Sequence, residues 1–290
     1  MKKVIITATL MAILVVQYSH AQDKSVFKAI SVSASMQTYE SQQEPAQFQF
    51  TLPHEGSSSW LLNAAASVGL KPLSKGTLTS KFVAEFHRNT LIDDEQYNYQ
   101  AGYQFEIMDG DGSKLTPYIT GNVKYVRDQI ADKHSLAASV NALPYYHPDK
   151  GFVLGSPGYF NSENFTYVVA PSIEFQYQEY FASATHSGSI LRPIVNLSNS
   201  LAFNKEAKYA PLKLLELTFN YVWRYALINS TANEEGRTSL LKTGLNYYLY
   251  SGATGKSSPV SLGINYNQGS DPLNGLLKQR YWLFSLQVKI

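Results

Sequence analysis

The chain contains no cysteine. That excludes disulfides, thiolate nucleophiles and thiolate metal sites. Past the first two dozen residues, no apolar run approaches the roughly 20 residues a membrane helix needs. Charge is scarce and balanced: 24 Lys and Arg face 22 Asp and Glu, and charged residues are 16% of the whole. Such a balance carries no basic footprint for nucleic acid. The six histidines show no metal-ligand spacing. Asp109-Gly110-Asp111-Gly112 has the start of a calcium loop but not its later acidic ligands, and reads as a tight turn. No metal and no cofactor is expected.

What is present begins with an export signal. Lys2 and Lys3 precede an apolar run from Val4 to Val16, and Ser19-His20-Ala21 supplies the small residues of a cleavage site. Cleavage after Ala21 is expected, giving a signal at residues 1–21 and one domain at 22–290. Losing Lys2 and Lys3 takes the basic count from 24 to 22, equal to the acidic count. The chain as a whole is rich in Tyr (21) and Phe (14), which suits aromatic girdles at a membrane boundary.

The dominant signal is alternation. Successive side chains of a strand point to opposite faces. At the carboxyl end, Trp282, Phe284, Leu286, Val288 and Ile290 oppose Tyr281, Ser285, Gln287 and Lys289. Between Leu215 and Leu227, seven apolar residues oppose Glu216, Thr218, Asn220 and Arg224. Twelve such segments emerge. They start near Val26 (running to Tyr39), Ser59, Leu78, Tyr97, Ile119, Ser135, Phe165, Ile190, Leu215, Leu241, Val260 and Tyr281. In the first, Ile30, Val32 and Met36 share one face. Two stretches stay irregular. Glu40 to Ser58 includes an alternating Phe48, Phe50 and Leu52. Pro144 to Asn164 carries Tyr145, Tyr146, Phe152, Tyr159 and Phe160.

Twelve broad apolar faces would need a second layer to cover them in water. Lipid covers them in a membrane, where a closed barrel also satisfies every backbone group. The fold expected is therefore all-β: a single antiparallel transmembrane β-barrel of about twelve strands, with ten to fourteen allowed. Signal, alternation and a strand-ended tail together resemble bacterial outer-membrane β-barrel proteins. The resemblance is architectural and spans most of the mature chain. It implies a bacterial outer-membrane location, contact with outer-membrane lipid, and insertion by the outer-membrane assembly machinery. The usual final aromatic residue is replaced by Ile290.

With apolar faces outward, the interior receives Lys81, Lys124, Arg192, Arg224 and Lys242, with Glu85, Glu106, Glu174 and Glu216. Two functions fit. These charges could line a porin-like passive channel for small solutes. They could instead fill the interior of a non-catalytic barrel subunit within a larger outer-membrane transport, secretion or assembly complex. The five aromatic residues between Pro144 and Asn164 are expected to form a rim element for lumen closure or partner docking. Catalysis is not expected. Outer-membrane phospholipase A, also a twelve-stranded barrel, sets a His two residues before its Ser. His134-Ser135 and His186-Ser187 lack that spacing.

Overall fold

The alternating segments become strands because their β-branched and aromatic residues fit a pleated surface presenting two different faces. In the computed structural model they form one antiparallel sheet. The structure describes residues 27–288 except 34, 37–45, 52–58, 71–72, 91–94, 109–113, 149–150, 161–163, 182–186, 204–213, 232–233, 251–259 and 272–275. The expected signal at 1–21 lies outside the described residues.

Twelve strands make the main meander. They are β1 (Phe27–Ser33), β3 (Ser59–Leu70), β4 (Leu78–Asn89), β5 (Gln96–Met108), β6 (Leu115–Asp128) and β7 (Lys133–Tyr146). There follow β9 (Phe165–Phe181), β10 (Gly188–Phe203), β11 (Leu215–Tyr225), β13 (Arg237–Tyr250), β14 (Val260–Asp271) and β15 (Leu276–Val288). Three short strands flank this path: β2 (Gln47–Thr51) on β3, β8 (Gly158–Phe160) on β9, and β12 (Ile228–Asn229) on β10. No ladder joins β1 to β15 among the described residues; β15 instead passes beside β2.

The sheet's polarity is inverted relative to a water-soluble fold. Phe82, Ile173 and Phe175 are more than half exposed, whereas Lys81, Glu85, Lys124, Arg192 and Arg224 are each at most 4% exposed. There is one sheet and, among the described residues, no helix to cover it. A single layer can enclose its polar face only by curling around it. The described residues therefore follow the barrel class, with charges inside and aromatics outside.

Hairpin turns set two mouths. The upper mouth holds the β4–β5, β6–β7, β9–β10, β11–β13 and β14–β15 connections. The lower mouth holds the others, together with the start of β1 and the end of β15. The β6–β7 turn is tight because Asp128 Oδ1 accepts the backbone N–H groups of Ile130 (2.9 Å) and Ala131 (3.0 Å). On the outer face, the Phe105 ring lies over Gly121 across the β5–β6 ladder, in space a Cβ at Gly121 would occupy.

Two expectations need correction. The first strand does not run to Tyr39: β1 ends at Ser33, and Met36 is fully enclosed against Ala65 and Val83 rather than sharing Val32's outward face. Since β1 pairs with the second half of β3 and β2 with the first, the two act as halves of one interrupted strand. The alternation of Phe48 and Phe50 is the trace of β2.

The second concerns Pro144 to Asn164, expected as a rim element, whose described residues are tied into the wall. Tyr145 and Tyr146 end β7, half-buried. Leu154 bridges to Tyr146, the Gly155 N–H donates to Val169 O at 2.8 Å, and β8 places Tyr159 opposite Thr166 and Phe160 opposite Phe165. Phe152 stacks on Tyr167 at 5.5 Å between ring centres. The segment fills a wedge left where β7 parts from β9 after Ala142. Removing 151–160 would leave the β9 edge unpaired inside the wall. That variant is expected to lose heat-modifiable mobility on gels altogether; a deletion that still folds would restore the rim reading.

Candidate functional site: an enclosed polar interior

All nine interior candidates share the enclosed face. Lys81 and Glu85 come from β4, Glu106 from β5, Lys124 from β6, Glu174 from β9, Arg192 from β10, Glu216 and Arg224 from β11, and Lys242 from β13. The period of two explains why: each has the parity of its strand's buried polar residues.

The first cluster centres on Glu85. Its Oε1 takes a short charge-assisted bond from Lys124 Nζ. Its Oε2 accepts from Ser35 Oγ at 2.8 Å and lies 3.2 Å from His87 Nε2. The other ring nitrogen of His87 is 3.1 Å from Asn63 Oδ1. Glu85 and Lys124 stand on β4 and β6, with β5 between them. Gly102 on β5 faces Lys124 in register, and a Cβ there would fall 2.9 Å from Lys124 Cγ. The missing side chain is what lets the lysine stem cross β5 to reach the carboxylate.

The second cluster lies lower. Lys81 Nζ meets Glu106 Oε1 at 2.5 Å. Gln104 Nε2 donates to the same oxygen at 3.0 Å, and Tyr118 OH donates to Oε2 at 2.7 Å. Beside it, Leu143, Ala170, Tyr118 and Val168 form a small apolar knot. The third cluster is cationic: Arg192 donates from Nε to Gln176 Oε1 (2.6 Å) and from NH2 to Gln178 Oε1 (2.5 Å). Arg224 NH1 reaches Ser270 O at 3.4 Å.

Burial is uneven around the wall. From β4 to the upper half of β10 the interior is closely filled. Along the lower half of β10, β11 and β13, Asn196, Ser198, Glu216, Asn220 and Lys242 are half-buried. There Glu216 Oε2 accepts from Tyr248 OH at 2.6 Å.

The upper mouth carries a strap. Past β12, the chain reaches Glu234, whose Oε1 lies 2.7 Å from Lys133 Nζ in the β6–β7 hairpin. Strands β9 and β10 lie between β7, which begins at Lys133, and the β11–β13 connection that carries Glu234. Lys133 also lies over the Tyr180 ring, 5.5 Å from its centre. Beneath this bridge Ile190, Arg192 and Tyr180 are at most 3% exposed.

Alternation identifies the interior charges but not their pairing. Gly102, His87, Asn63 and Ser35 were not singled out by the sequence pattern, since a small or neutral residue on a polar face looks like any other. A glycine in mid-strand at 102 is the one readable mark; that it stands opposite Lys124 is set by register. His134 and Ser135 face opposite sides: His134 bonds Tyr125 OH on the outside, and Ser135 accepts from Gln178 Nε2 inside. His186 lies outside the described residues. No group of three or more His, Asp or Glu among the described residues could hold a metal ion.

These features define a class, an antiparallel sheet with a charged interior and an apolar exterior. No family model, curated protein or solved structure matches the chain.

Proposed function

We propose that the chain is an integral outer-membrane β-barrel whose filled interior makes it a non-catalytic subunit of a larger outer-membrane complex. The membrane assignment rests on one observation: an uncharged outward band. From β3 to β15, every Arg, Lys, His or Glu described on the outward face lies in the upper part of its strand: Arg88, Arg127, His134, Glu179, Arg237, Lys278 and Arg280. Below them the band is uncharged and mainly apolar and aromatic, with Asn199 and Thr243 among its polar members. β3 with 12 residues and β11 with 11 carry no outward charge at all. A strand crosses a bilayer in about 9–11 residues. Water gives no reason to keep charges off so tall a band; hydrocarbon does.

The close packing from β4 to β10 supports the subunit reading over a wide diffusion channel, because side chains that touch leave little room for solute. The half-buried interior along β11 and β13 supports a second reading, a narrow porin-like path on that side lined by Glu216 and Lys242.

Fractionation of cells producing the full chain tests the location. The direct physical test compares Phe219→Arg, facing outward in mid-strand, with Asn220→Arg, facing inward. The first should cost roughly 2–4 kcal/mol of stability in lipid vesicles and the second clearly less. Equal costs, or a wild-type chain that folds without lipid or detergent, would overturn the assignment.

A further inference from the structure

The charges bounding the outward band are one-sided. At the upper mouth the outward strand positions carry Arg88, Arg127, Arg237, Lys278 and Arg280 against one carboxylate, Glu179. Next to the lower mouth the described outward strand positions from β3 to β15 carry none, while Lys75 and Lys114 stand in turns at that end and Lys28 in β1. Three of the ionisable groups stand together. Arg88 is level with Tyr97 across the β4–β5 ladder, Tyr99 with Arg127 across β5–β6, and Arg127 with His134 across β6–β7. Tyr99 OH donates to Tyr97 OH at 2.7 Å. The Arg88 guanidinium lies 4.7 Å from the centre of the Tyr97 ring. The result is a shelf of aromatic rings at the top of the apolar band, with basic groups along its edge.

We infer that this shelf binds the phosphate-bearing headgroups of anionic lipid and so sets the upper mouth in an anionic leaflet. The inference rests on the membrane reading above. An aromatic ring at the boundary is apolar on one side and wet on the other, and a cation beside it meets headgroup phosphate at that level. Acidic neighbours are present. Arg88 pairs with Glu95 at 2.8 Å and Arg127 with Asp132 at 2.8 Å, while Glu179, on β9 next to β7, accepts from Tyr177 OH of its own strand. Glu95 and Asp132 belong to the turns above the shelf and are themselves 48% and 83% exposed. Such solvated pairs are weak. Each arginine keeps further donors for a phosphate arriving from the lipid side. The start of β1 and end of β15 lie at the opposite mouth, as they should if hairpins cross from the far side towards the anionic leaflet.

The test uses the full chain folded in detergent, titrated with a short-chain anionic phospholipid, its zwitterionic counterpart, or inorganic phosphate. The readout is the thermal unfolding midpoint. The anionic lipid should raise the midpoint and the zwitterionic lipid should not. In the double variant R88Q/R127Q the lipid concentration needed should rise roughly tenfold or more, because two basic groups near the anionic surface are lost. The control K75Q/K114Q, altering exposed lysines at the lower mouth, should respond like wild type. An unchanged response in R88Q/R127Q would overturn the inference, as would inorganic phosphate matching the lipid at equal concentration. Failure of the membrane reading would show differently, as a wild-type chain that folds without detergent.

Discussion

Replacing Glu85 by Gln should destabilise the folded chain by roughly 3–5 kcal/mol, the cost of leaving a buried charge without its partner. The charge left behind is Lys124, 4% exposed and reaching across β5 to that carboxylate. Lys124→Met should cost less, because Glu85 keeps the Ser35 hydroxyl and the His87 ring. The double variant E85Q/K124M should recover most of the loss, since a neutral pair of similar volume avoids desolvating two ions. Gly102→Val should resemble the Glu85 variant in direction, because its side chain fills the path of the lysine stem. Unfolding in urea from lipid vesicles measures all four. Additive losses in the double variant would mean that the two residues do not act as a pair.

The ordering of these effects shows what the sequence reveals. Alternation placed Lys81, Glu85, Lys124 and Arg224 on one face without any knowledge of neighbours, because parity is a local property. Strand limits were equally legible where a polar turn cuts a periodic run: Ser59 to Leu70 and Phe165 to Phe181 match β3 and β9. Pairing is non-local. That Lys124 reaches Glu85 depends on register across two ladders and on a glycine between them. Met36 misled for the same reason. It continues the period of Ile30 and Val32, but β1 stops at Ser33 and the chain turns inward, where Ser33 Oγ donates to Ser35 O at 2.9 Å. A period can persist in sequence after the strand has ended. Pro144 to Asn164 misled in the opposite direction. Its Pro and Gly residues hide a three-residue strand, β8, too short for any period to register.

The strap at the upper mouth gives the other large effect. Lys133 and Glu234 stand 101 residues apart in sequence and meet at 2.7 Å, with side chains only 15% and 10% exposed. Charge-assisted bonds contribute about 1.5–3 kcal/mol, so removing this one should shift the local opening of the strap by roughly tenfold or more. Ile190 reports on it, because it is fully enclosed below the strap and the native chain has no cysteine to compete with a label. In an Ile190→Cys background, a water-soluble maleimide should react slowly. Adding Lys133→Glu should speed the reaction by that factor, and the swap K133E/E234K should slow it again. The wild-type barrel should pass no steady current in planar bilayers. The strap variants should also stay silent, because Arg192, Gln176 and Gln178 fill the layer beneath. Labelling that ignores the charge reversal would show that the strap is held by the Ser189–Ser230 contacts at its base. Steady current through the unaltered chain would move the balance to the porin-like reading, with its path along the half-buried faces of β11 and β13.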